Sequence, residues 1–168
     1  MPQPVQYRGM ALIVPDNDSE WKEFYAHARA HRLVVRKCKA CGLMRYPPTH
    51  ACPWCMDLGW TWQEVSGRGT IYSYEIVAHA IQPGFKEMTP YAVVLVELDE
   101  QRGQPTPDEA LRVIANLVKV DFTAESEADV AIGKRVRVVF QDLADHMALP
   151  QFTLTEEPAA GRVWRLPE

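Results

Sequence analysis

Every cysteine of the chain lies between residues 38 and 55, in two Cys-x-x-Cys pairs: Cys38-Lys-Ala-Cys41-Gly42 and, with ten residues between the pairs, Cys52-Pro-Trp-Cys55. Two intervening residues let both sulfurs of one turn face a common point, so two such turns can close around one tetrahedral ion. Gly42 supplies a position that takes positive φ without a Cβ clash. Four thiolates suit a soft or borderline ion such as zinc and leave no coordination position open for a substrate or an activated water, so the expected metal role is structural. An iron centre of rubredoxin type uses the same knuckles, and colour would separate the two. His50, two residues before Cys52, reads as a loop histidine because four cysteines already suffice. Disulfide pairing is the weaker alternative: nothing N-terminal resembles a secretion signal, and the thiols of a cytoplasmic protein stay reduced.

Outside this stretch no catalytic set stands out. No cysteine is left over as a nucleophile, there is no Gly-rich phosphate loop and no Gly-x-Ser-x-Gly, and His27, His31, His79 and His146 are scattered. His79, Phe85 and Tyr91 bound a loop that reads either as a ligand wall or as ordinary barrel edge. Charge is more informative. The net charge is −4, yet from Phe24 to Met56 there is no acid, while Arg29, Arg32, Arg36, Lys37, Lys39 and Arg45 are basic. From Thr70 onward nine Lys and Arg face sixteen Asp and Glu. A zinc ion with four thiolates is formally −2, which accounts for part of the basic run; the remainder is a solvated face or a phosphate patch.

These residues must be positioned by few elements. At 168 residues and 47% hydrophobic, the chain builds one ordinary core plus a small metal-held module. No apolar run approaches the roughly 20 residues of a membrane span. Residues 1 to 15 show no period and read as a tail or extended arm. After Asp16-Asn17-Asp18-Ser19, candidate caps, Trp21, Phe24, Tyr25 and Ala28 recur at helical spacing, which predicts a short amphipathic helix ending near Arg32. Leu33-Val34-Val35 leads into the first knuckle, Leu43 to Tyr46 returns before Pro47-Pro48, and Trp60 to Val65 follows the second, in the outline of a zinc ribbon. Five β-rich runs follow, at 70–77, 91–98, 112–118, 135–140 and 151–154, with one helical turn near 125–130 between the third and fourth. That is the element order of an OB-fold. The predicted class is thus mainly β: arm and helix in 1–32, ribbon in 33–66, a five-stranded barrel in 67–168. Residues 99–110 read as a long, mobile hairpin loop, and 162–166 as a last edge strand.

Several segments together carry a family resemblance: the Trp-containing helix, Cys38-x2-Cys41-Gly42, Tyr46-Pro47-Pro48, Cys52-Pro53-x-Cys55, Ser66-Gly67-Arg68-Gly69-Thr70-Ile71-Tyr72-Ser73-Tyr74, Val94 to Glu100, and Ile132 to Phe140. In that order and spacing the chain resembles the DUF35 family, whose members join a rubredoxin-like zinc ribbon to an OB-fold. The resemblance implies a non-catalytic accessory subunit of a thiolase-fold, acyltransferase or aldolase enzyme acting on acyl-CoA, helping to enclose the coenzyme A thioester. On that reading Arg36, Lys37, Lys39, Arg45, Tyr46, Pro47 and Pro48 are the place for coenzyme A or partner contact, and His79, Phe85 and Tyr91 a second. The insertion from Gln101 to Leu111 departs from the family pattern and leaves the partner open. The alternative is an OB-fold that binds single-stranded nucleic acid, against which the acidic barrel counts.

Overall fold

A computed structural model describes residues 4–12, 19–159 and 161–165. Val5–Tyr7 (β1) and Met10–Leu12 (β2) pair as an antiparallel hairpin. Its turn is Arg8-Gly9, with φ of 50° and 73°, the two positive values that a tight hairpin turn requires. The arm is therefore folded, and it is anchored: Val5 and Tyr7 are buried, Tyr7 meets Phe85 edge-on, and Arg8 donates to the Phe122 carbonyl at 3.0 Å. Three-residue strands are too short to show a period.

Helix α1 (Ser19–Arg29) buries the face that its sequence marks, with Phe24 and Ala28 inside and Trp21 and Tyr25 packed against the core. The candidate caps Asp16, Asn17 and Asp18 lie outside the described residues. The helix stops short of Arg32 because His31 takes the left-handed conformation, φ 55°. The His31 N–H then reaches the Ala28 carbonyl (2.9 Å) and the Arg32 N–H the His27 carbonyl (3.1 Å), which closes the last turn. The strained residue is held from outside as well. Its ring stacks on Phe140 at 5.3 Å and its Nε2 lies 2.9 Å from Asp142, which also accepts from Arg29.

The ribbon is a three-stranded antiparallel sheet, β3 (Leu33–Cys38) between β4 (Met44–Arg45) and β5 (Trp60–Val65). Gly67 then turns the chain out of it, with φ +69° and an added Cβ only 2.2 Å from Val138 Cγ1, so a side chain there is excluded twice. The barrel comprises β6 (Arg68–Val77), β7 (Tyr91–Leu98), β8 (Arg112–Leu117), β9 (Arg135–Ala144) and β10 (Met147–Leu154). It closes in the order β10-β8-β7-β6-β9, with β10 and β8 parallel at Phe152 and Leu117 and every other pair antiparallel. This is the OB-fold topology expected from the sequence. The last strand begins four residues earlier than its apolar run, because Pro150 pairs with Phe140 of β9 where β10 has no second neighbour.

Strict alternation in β7 sends Ala92, Val94, Val96 and Leu98 inward to meet Ile71, Val113, Leu117, Val136 and Phe152. Phe24, Leu33, Val34, Val35 and Val65 belong to the same core, so helix, ribbon base and barrel share one apolar interior. Among the described residues, Cys38, Leu43 and Cys52 form a separate small cluster.

The 99–110 loop is tied down at its base rather than free. Asp99–Gln101 makes one 3₁₀ turn, Ala110 and Leu111 are buried, and the Leu98 N–H donates to the Leu111 carbonyl at 3.0 Å. Gln101 is buried too, and its side chain reaches across to the ribbon edge. There its Oε1 accepts from the Met44 N–H at 2.8 Å and its Nε2 donates to the Met44 carbonyl at 2.9 Å. The expected edge strand at 162–166 reduces to a bridge between Ile132 and Trp164; Leu166 lies outside the described residues. No helix among the described residues is long and apolar enough to cross a membrane.

Candidate functional site

The two Cys-x-x-Cys turns are built alike. In the first, the Cys38 N–H donates to the Leu43 carbonyl (2.8 Å) and the Gly42 N–H to the Cys38 carbonyl (3.0 Å). In the second, Cys52 and Asp57 (2.9 Å) and Met56 and Cys52 (2.9 Å) repeat both bonds. The position after the second cysteine is left-handed in each, φ 78° at Gly42 and 64° at Met56. The repeat brings all four Sγ atoms within 4.8 Å of one another, Cys38 to Cys55 and Cys41 to Cys52 at 3.6 Å. Sulfurs around a zinc ion at about 2.3 Å stand about 3.8 Å apart, so the set fits one tetrahedral ion.

Electrostatics favour a cation there. The N–H of Cys41, and less strongly that of Ala40, is directed at Cys38 and draws its thiol down to about 7. At Cys55 the Asp57 N–H pulls the same way, yet the adjacent Cys41 sulfur and lost solvation push the thiol up to about 12. One thiolate forms readily and the last resists, because like charges crowd at this spacing. A divalent ion removes that repulsion and ionises all four. With every ligand position filled, the ion's contribution is to hold the ribbon folded.

The cations beside the knuckles divide into two kinds. Lys37 and Lys39 are exposed. Arg36 and Arg45, expected at a phosphate, are turned inward instead. Arg36 is fully buried, its guanidinium 3.8 Å above the centre of the Trp60 ring, donating to the Thr49 carbonyl at 2.8 Å and paired with Glu20 at 3.2 Å. Arg45 is 5% exposed and donates through Nε to Thr49 Oγ1 (3.2 Å) and through Nη2 to the Thr49 carbonyl (3.2 Å). Both are spent on the protein's own loop.

Tyr46 is drawn into a groove between α1, β8 and β10. The space measures about 230 Å³ and is walled by Phe24, Tyr25, Tyr46, Ile114, Leu149 and Pro150 over a floor that includes Asn116 and Gln151. Burial, with Tyr25 close by, pushes the Tyr46 hydroxyl up to about 12, so it stays a neutral donor. The floor amides are joined: Gln151 donates to Gln141 at 2.8 Å and accepts from Asn116 at 3.4 Å. Sequence reasoning missed Asn116, Gln141 and Gln151, because amides 10 and 35 residues apart, on three different strands, converge only when the barrel closes. Pro47 is exposed and Pro48 half-buried. None of His79, Phe85 and Tyr91 lines the groove. Phe85 stacks on Tyr91 at 5.3 Å and against Tyr7 at 5.9 Å, so the N-terminal hairpin covers that loop, while His79 is exposed.

Comparison with known proteins agrees with this geometry. Residues 26–57 match the family model described as ChsH2, rubredoxin-like zinc ribbon domain, and residues 62–141 that described as ChsH2, C-terminal OB-fold domain. The chain is 30% identical to a DUF35 domain-containing scaffold protein of Methanocaldococcus jannaschii, over 67% of this chain and 70% of that one. It is 32% identical to a probable enoyl-CoA hydratase alpha subunit of Thermomonospora curvata, over 77% of this chain; it spans only about a third (35%) of that longer protein. Among solved structures, a chain of an Ltp2-ChsH2(DUF35) aldolase superposes with a TM-score of 0.64 at 30% identity, covering 84% of this chain and 96% of that one.

Proposed function

Because the chain belongs to the DUF35 family and carries its zinc ribbon and OB-fold in order, we propose that it is a non-catalytic accessory subunit of a thiolase-fold or aldolase enzyme, and that it helps to bind or enclose that enzyme's acyl-CoA. The observation that carries this reading is the likeness, over 84% of this chain and 96% of the other, to a chain of an aldolase assembly. The T. curvata hydratase relative is far longer, so no hydration chemistry is assigned to this chain.

The groove supports the reading chemically. A pantetheine arm needs an apolar-walled passage with a few amide partners, and Tyr25, Tyr46 and Ile114 over Asn116 and Gln151 supply both. Phosphates need free cations. With Arg36 and Arg45 buried, the exposed Lys37 and Lys39 take that part. The partner supplies the nucleophile and the acid and base groups.

Co-expression with thiolase-like proteins from the same genome, then size-exclusion chromatography and an acyl-CoA cleavage assay with and without this chain, tests the proposal. We expect co-elution, no turnover by this chain alone, and loss of stimulation when Lys37→Glu and Lys39→Glu are combined in a zinc-loaded chain. Separate elution together with unchanged activity of the larger protein defeats it.

A further inference from the structure

Two buried arginines on one ribbon face are costly, and what they hold is informative. Arg36 of β3 and Arg45 of β4 are cross-strand partners. Their side chains converge on one acceptor, the Thr49 carbonyl, reached by Arg36 Nη1 at 2.8 Å and by Arg45 Nη2 at 3.2 Å. Arg45 also takes the Thr49 hydroxyl, which itself donates to the Ala51 carbonyl at 3.2 Å. The segment so gripped, Thr49 to Ala51, runs directly into Cys52, the fully buried first ligand of the second knuckle. On its other side Arg36 pairs with Glu20 in the first turn of α1, and its face rests on Trp60 of β5.

We propose that Arg36 and Arg45 are positioning residues of the metal centre and that, through Glu20, they couple metal loading to the docking of α1. The reasoning is one of matched ends. The 49–52 segment is fixed at one end by the ion through Cys52 and at the other by two guanidinium groups. When the ion leaves, the segment loses one anchor, and the arginines lose acceptors they cannot replace, because buried cations without partners are expensive. Arg36 then no longer holds Glu20 in place. Charge acts in the same direction. Arg36, Arg45 and Glu20 sum to +1 beside a metal centre of formal charge −2. The inference rests on this chain alone and stands whether or not the accessory-subunit reading does.

Linkage makes it testable from the helix side, far from any ligand. Zinc affinity is measured by competition with a chromophoric chelator, and amide hydrogen exchange is followed in α1 and in β7, with and without zinc. Arg36→Gln and Arg45→Gln each weaken zinc by about tenfold, the scale on which groups behind the ligands usually act. Arg36→Lys, which keeps the charge but not the fork, recovers part of that loss. Glu20→Gln, a half-exposed change that leaves the core intact, weakens zinc by about fivefold, within the usual range of coupling between sites. In the unaltered chain, zinc removal speeds exchange in α1 and leaves Val94 and Val96 protected; in Glu20→Gln the zinc dependence of α1 shrinks by the same factor by which affinity fell. Zinc binding by Glu20→Gln within twofold of the unaltered chain overturns the proposal, as does α1 exchange that ignores zinc; both readings survive a misfolded arginine variant.

Discussion

Gln101→Ala and Gln101→Leu, compared as a pair, test how the barrel grips the ribbon. Gln101 is 8% exposed, and its amide satisfies both backbone groups of Met44, at 2.8 and 2.9 Å. A hydrogen bond of this kind contributes about 1 kcal/mol net, so losing two while water fills the gap left by alanine costs about 2 kcal/mol. Leucine fills the gap and admits no water. The Met44 N–H and carbonyl are then buried without partners, each at about 1–3 kcal/mol, and the cost rises to about 4 kcal/mol. The order of stability is therefore glutamine, alanine, leucine, although leucine is the most apolar of the three and the site is buried. Urea unfolding of the zinc-loaded chain gives the two differences, and exchange of the Met44 amide shows whether the opening is local. A leucine variant as stable as the unaltered chain, or a Met44 amide equally protected in all three, refutes the argument and makes the contact incidental.

Met56→Gly raises the melting temperature, since a non-glycine residue at φ 64° stores about 1–2 kcal/mol and glycine returns only about 0.5–1 kcal/mol of that as chain entropy; a thermal scan with zinc present checks it. The Arg135 hydrogen bond holds the Asp99 carboxyl below the ordinary carboxylate range. Its contribution is thus complete above about pH 4 and is lost as pH falls through the lowered folded value. Asp99→Asn flattens that acid limb, read from urea midpoints between about pH 2 and 5; an unchanged slope contradicts the assignment. Labelled single-stranded DNA or RNA, titrated at about 150 mM salt, binds no tighter than micromolar, because residues 70–168 carry a net charge of −7; submicromolar, salt-sensitive binding reverses that reading.

The parts legible in sequence are those whose signal is local. Two Cys-x-x-Cys turns announce themselves because the turn alone aims both sulfurs, and β7 reads correctly because alternation from Tyr91 to Leu98 has a single inward face. Where meaning depends on what packs against a segment, sequence is silent. The loop at 99–110 has the polar, turn-rich composition of a free hairpin, yet Gln101 finds Met44 57 residues away. The hairpin at 5–12 is visible only as Arg8-Gly9, a turn pair without long enough strands to flank it. Met56 takes a glycine's conformation with a bulky side chain, and only the second knuckle's likeness to the first exposes the substitution.

Arg36 and Arg45 show why charge counts mislead at such a site. Between Phe24 and Met56 the chain contains cations and no acids, which invites a phosphate. The balancing groups are present but take other forms: four thiols whose complete ionisation needs the metal, backbone carbonyls at Thr49 and His50, and Glu20, upstream of the acid-free stretch on the preceding helix. One signal was available. Arg36 lies opposite Trp62 in the β3 and β5 register, next to Trp60, and tryptophan faces are where a guanidinium loses least on leaving water. A strand that sets arginine against two tryptophans two residues from a metal-ligating cysteine is arranged to bury that charge, while the lysines on either side of Cys38 stay exposed.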